Sequence, residues 1–119
     1  MSVCVLVAYA KDNVDKATVG LTLANAALAN GEPVSVIFAS EGVRLAVRGY
    51  ADDMNNGEPF KPVKQLLGEL TRGGAELNVC TPCMKKRGIT ESAITPGMRF
   101  IAGPDVIRIL KATDRSIQL

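Results

Sequence analysis

At 119 residues the chain fits one domain, 1–119, and 47% hydrophobic residues are enough to bury a core. Aromatic residues make up only 4% and Trp is absent, so aliphatic side chains and Ala must fill that core; His is absent too, which narrows acid–base and metal chemistry. A net charge of +2 is too small for the basic stripe of a nucleic-acid binder, and three cysteines are too few for a secreted disulfide framework.

The longest apolar run, Val3 to Ala10, is far short of the ~20 residues that cross a membrane, and it lacks the positive n-region of a secretory leader. The expected setting is a reducing cytoplasm, where a pair of nearby cysteines signals metal or redox chemistry more than a structural bridge.

Ser2 to Ala8 is apolar on both faces, as in a strand covered by helices on each side. Cys4 in its middle fits a small buried hydrophobe. Asp12 or Asn13 can cap a helix from Val14 to about Ala29, with Val14, Ala17, Leu21, Ala24 and Leu28 in one stripe. Asn30-Gly31 ends it, and Pro33 prevents its resumption. Val34 to Ala39 forms a second strand, and Ser40-Glu41-Gly42 opens a short helix through Val43, Ala46 and Val47.

Residues 49–62 hold no steady period and collect Asp, Asn, Gly and Pro, which predicts a long surface loop, a candidate lid or partner contact. Pro62 suits the first turn of a helix carrying Val63, Leu66, Leu67 and Leu70, stopped by Gly73-Gly74. Ala75 to Val79 alternates as a third strand and delivers the chain to Cys80-Thr81-Pro82-Cys83. Gly88 suits the residue after a helix end, and Thr90 can cap a further short turn. Pro96-Gly97 turns into a fourth strand, Met98 to Ala102; a helix starts at Pro104 and a short fifth strand spans Ser116 to Leu119. Strand and helix thus alternate, which predicts a mostly parallel sheet with helices on both faces and ligands at the carboxyl ends of the strands.

The cysteine turn falls at such an end. Thr81 as N-cap with Pro82 at the first helical position would set Cys80 and Cys83 at a helix N-terminus, where the unpaired amides favour a thiolate over the ordinary thiol pKa of about 8.5. Lys85, Lys86 and Arg87 add positive potential, although Lys85 and Lys86 equally suit the solvated end of a helix. The planar fork of Arg87 can hold an anionic sulfur species or a carboxylate. The charge bias begins here: residues 1–84 carry seven basic and nine acidic side chains, residues 85–119 seven and three. Zinc would need four ligands, which one chain supplies only by sharing with another subunit. A shared zinc site, a dithiol–disulfide couple and a purely structural pair all remain open on the residues alone.

The run Cys80-x-x-Cys83-x-x-x-Arg87-Gly88-Ile89 after a strand resembles the signature of the DsrE/DsrF-like sulfur-relay family, which includes the DsrE and TusD carriers and YchN-like proteins. Phe38-Ala39-Ser40-Glu41-Gly42-Val43 after the second strand and the Pro96-Gly97 turn extend the resemblance over nearly the whole chain. It implies a three-layer α/β/α sandwich with a five-stranded parallel sheet, assembled as a homo-oligomer, a trimer or hexamer. It also implies that Cys80 carries sulfane sulfur as a persulfide between donor and acceptor proteins or small thiols, with no cofactor and no metal. Arg87, Thr81, Ser40, Glu41 and Gly42 are then the residues around the sulfur. Cys83 departs from the one-cysteine pattern of the best-understood carriers and is a candidate resolving thiol. By attacking the Cys80 persulfide it could release sulfide and leave a disulfide.

Overall fold

The computed structural model describes all 119 residues. Five parallel strands form one sheet: β1 (Val3–Val7), β2 (Val34–Phe38), β3 (Glu76–Cys80), β4 (Arg99–Ile101) and β5 (Arg115–Gln118), in the order β4-β3-β2-β1-β5. The helices are α1 (Val14–Ala29), α2 (Val63–Arg72), α3 (Thr81–Lys86) and α4 (Gly103–Ala112). The expected α/β sandwich with a five-stranded parallel sheet is the architecture observed.

The order follows from the connections. From β1 to β4 the chain steps one strand at a time in a single direction, so successive crossovers of one hand stack α1 and α2 on the same face. The last crossover reverses, places β5 beside β1 and puts α4 on the opposite face. Side-chain alternation then divides the core. Val3, Val5, Val7, Val36, Phe38 and Val79 pack with Ala17, Leu21, Val63, Leu66 and Leu70 in a cluster of 22 buried residues. On the other face Cys4, Ile37 and Ile101 meet Val106, Ile109 and Leu110 of α4. This second layer is thin: no residue of α4 is fully buried, and Ile107 is 58% exposed.

Helix α1 spans its predicted range, and Asn13 is the cap, its side chain accepting from the Lys16 amide at 3.0 Å. Pro62 stands just before the first turn of α2, which begins at Val63. The segment 49–62 differs from the expected surface loop. Tyr50–Asp53 forms a 3-10 turn, and Ala51 and Met54 are buried in the main core. The Met54 carbonyl accepts from the Val63 amide at 3.1 Å, so this segment is the footing of α2. Single buried residues spaced irregularly leave no periodic trace, which is why the sequence pattern looked like open loop.

Candidate functional site

β3 ends at Cys80, paired with Ile101 of β4, and α3 begins at the next residue. Cys80 itself is the N-cap of α3, with φ −73° and ψ 110°. Thr81 is therefore the first helical residue and Pro82 the second, one position later than the sequence suggested. The ladder to β4 holds Cys80 extended, which suits an N-cap, and Pro82 tolerates the second position because that amide has no partner inside the helix. Cys83 falls at the third position. Met84, 1% exposed, anchors the turn in the core. Gly88, at φ +68°, closes the helix: the Ile89 amide bonds to the Met84 carbonyl and the Gly88 amide to the Lys85 carbonyl. Only glycine adopts this left-handed position without strain.

Arg87 ends α3 and folds back over it. Its Nη1 donates to the Cys83 carbonyl at 3.0 Å, its Nε to Glu41 Oε1 at 2.8 Å and its Nη2 to Ser40 Oγ at 3.5 Å. The other Glu41 oxygen accepts from Arg44 Nε at 2.7 Å. One carboxylate thus bridges two guanidinium groups, and they hold the Glu41 carboxyl below the usual carboxylate range, Arg87 contributing most. Arg44 was not singled out by sequence. Its position three residues after Glu41 on a helical turn was the available signal.

The turn that presents Glu41 is fixed in place by its neighbours. Ser40–Ala46 is a 3-10 helix starting where β2 ends, and Ser40 sits at φ +52°, a region non-glycine residues rarely enter. Gly42 is pressed onto the end of β1: a Cβ there would lie 1.9 Å from the Val7 carbonyl oxygen. That carbonyl also accepts the Ala39 amide at 3.1 Å. Of the predicted site residues, Cys80, Cys83, Arg87, Ser40 and Glu41 are gathered at the carboxyl edge of β2 and β3. Gly42 acts there through close backbone packing, and Thr81 as part of the first turn of α3.

All three cysteines are free, with Cys80 and Cys83 half-buried and Cys4 enclosed. The expectation of a lowered Cys80 pKa is overturned. Burial pushes the Cys80 thiol above its ordinary value, and the Cys83 thiol beside it pushes the same way. The Cys83 amide and the Arg87 charge pull in the opposite direction but with less effect. The physical reason is that Lys85 and Lys86 extend into solvent and Arg87 is committed to Glu41. At neutral pH the resting group is a thiol.

The largest groove, about 530 Å³ between α1, α2 and Pro59, is not lined by either cysteine of the turn. No three His, Cys, Asp or Glu side chains come together as a metal cluster, and no helix is long and apolar enough to cross a membrane.

Among solved structures the chain is similar to the YchN protein of E. coli, with a TM-score of 0.80 and 21% identity over 100% of both chains. It is also similar to the BT1422 protein of Bacteroides thetaiotaomicron, with a TM-score of 0.70 and 20% identity over 99% of this chain and 94% of the other. In sequence it is 28% identical over 115 residues to an uncharacterized protein of Methanopyrus kandleri, covering 97% of this chain and 91% of the relative. An uncharacterized protein of Methanocaldococcus jannaschii is 26% identical over 117 residues, 98% of each chain. The DsrE/DsrF-like family profile matches residues 1–119, and the chain belongs to that family.

Proposed function

We propose that this protein is a small sulfur carrier of the sulfurtransferase type, which takes sulfane sulfur onto Cys80 as a persulfide and passes it to an acceptor thiol. The observation that carries this reading is the half-buried free thiol of Cys80 at the carboxyl end of β3, beside the Arg87–Glu41 pair. In the transfer, a Cys80 thiolate attacks the outer sulfur of a donor persulfide, the donor leaves as a thiol, and an acceptor thiolate later removes the same sulfur atom. A sulfur atom handed between thiols needs an accessible thiol more than an enclosed chamber, and Cys80 is partly exposed. Membership of a family with a sulfur-relay theme supports the same reading.

The raised thiol pKa fits a carrier that stays protonated until a partner approaches. The guanidinium of Arg87, 14% exposed, has donors beyond those bound to Glu41, Ser40 and Cys83, and these are available to an anionic sulfur species at the edge. Donor and acceptor are proteins or small thiols of the cytoplasm. Several copies, three or six, assemble through the thin α4 face, where Ile107 is 58% exposed.

Intact mass measurement after incubation with a sulfane donor tests the assignment. The wild-type chain should gain about 32 Da per added sulfur and Cys80→Ser should not. Wild-type-level sulfur uptake by Cys80→Ser would remove the assignment. A second reading, a dithiol–disulfide oxidoreductase, is favoured by the placement of Cys80 and Cys83 at the N-cap and third position of one turn. It predicts reversible loss of about 2 Da with no sulfur gained. Zinc in freshly purified protein would favour a binding or structural role for the cysteines.

A further inference from the structure

The start of α3, with Cys80 as its N-cap, sets what Cys83 can reach. An N-cap side chain lies over the third helical residue, the geometry by which N-caps and third residues pair reciprocally in capping boxes. Here those two residues are Cys80 and Cys83; Cys80 makes no side-chain cap hydrogen bond, and the Cys83 thiol is its neighbour. Both sulfurs belong to one rigid turn, because Met84 is buried beneath it and Arg87 Nη1 holds the Cys83 carbonyl at 3.0 Å. Neither sulfur is engaged elsewhere, since both cysteines are free and half-buried.

We infer that Cys83 is an internal sulfide-releasing thiol, which converts a Cys80 persulfide left without an acceptor into hydrogen sulfide and a Cys80–Cys83 disulfide. This rests on the carrier reading above and adds a second fate for the carried sulfur. In the step, the Cys83 thiolate attacks Cys80 Sγ, the inner sulfur of the persulfide. A bond forms between the two cysteine sulfurs, and the bond from Cys80 Sγ to the outer sulfur breaks. The electron pair leaves on the outer sulfur, which departs as hydrosulfide and takes up the proton that Cys83 lost. The sulfane sulfur is reduced and the two cysteine thiols are oxidised, so one release needs no outside oxidant. Return to the dithiol needs two electrons from a thiol reductant of the glutathione or dithiol class.

The two fates differ in which sulfur is attacked. An acceptor thiol must reach the outer, exposed sulfur, whereas Cys83 reaches only the inner one from within the same turn. Carrier output therefore partitions between transferred sulfur and free sulfide according to how soon an acceptor arrives.

The test loads reduced protein with glutathione persulfide, removes the excess by gel filtration, and follows intact mass and free sulfide together. Wild type should lose the added ~32 Da, release about one sulfide per chain and end about 2 Da below the reduced mass. Cys83→Ser should keep the added sulfur at least about tenfold longer and release no sulfide, with Cys83→Ala as the second variant for the same half-buried position. Equal persulfide lifetimes in wild type and both variants would overturn the inference while leaving the carrier reading intact. If the Cys83 variants and the wild type take up no sulfur on Cys80, the carrier reading falls and this inference with it.

Discussion

The carboxylate of Glu41 and the guanidinium of Arg87 meet at 2.8 Å although 46 positions separate them in the chain. Through this contact the end of β2 and the end of α3 become one charged unit beside Cys80. Replacing Arg87 by Ala leaves Glu41 with Arg44 alone and frees the Cys83 carbonyl. A stability loss of about 1–2 kcal/mol in urea unfolding is expected. Arg87→Lys should recover less than half of it, because an ammonium cannot hold Glu41, Ser40 and the Cys83 carbonyl from one plane.

The same pair sets a pH dependence. The Glu41 carboxyl is depressed in the folded chain, by Arg87 first and Arg44 second, so its stabilising contribution is complete above the unfolded value of about 4.3. It is lost as pH falls through the lower folded value. Asp53, Glu69, Asp105 and Asp114 are depressed as well and act with the same sign. Urea midpoints should therefore drop as pH falls below about 4.5. Glu41→Gln should weaken that drop without abolishing it.

Cys80 should label slowly at neutral pH. Its thiol is pushed up by burial and then by the Cys83 side chain, so the iodoacetamide rate of a variant with only Cys80 and Cys83 should keep rising through pH 9. Cys83→Ala removes the second of those causes and should move the labelling midpoint down. A plateau already reached near pH 7 in wild type would contradict the resting thiol.

The turn holding Glu41 has two opposite sensitivities. Gly42→Ala places a methyl group against the Val7 carbonyl, which must shift, and a loss of about 2–3 kcal/mol is expected. Ser40→Gly relieves a positive φ and should gain about 1 kcal/mol. Ser40→Ala should show no such gain, which separates backbone strain from loss of the hydroxyl.

Assembly should depend on α4. Ile107→Lys places a charge on an exposed apolar position of the thin face and should shift light scattering toward smaller species while leaving Cys80 labelling unchanged. An unchanged mass would remove α4 as the proposed assembly surface.

Much of this was legible from side-chain period. Helix α1 and α2 follow their apolar stripes, and the doubly covered run at Val3 to Val7 announced a buried parallel strand. The start of α3 lies one residue before the position that Thr81, a common cap, suggests, because the hydrogen-bond ladder to β4 holds Cys80 extended. The direction of the Cys80 pKa was missed for a related reason. Charge is written in Lys85, Lys86 and Arg87, but burial and the commitment of Arg87 to Glu41 exist only after folding. Arg44 escaped notice because its importance depends on sharing a carboxylate with a residue far along the chain.

The reversal of direction after β4 separates two surfaces of the molecule along the chain. Residues 103–118 supply α4 and the outer strand β5, whereas the edge around Cys80 is built from residues 38–44 and 80–88. The two surfaces draw on separate stretches of sequence. A substitution on the outer side of α4 can therefore be made without touching the turn that carries Cys80, Cys83 and Arg87.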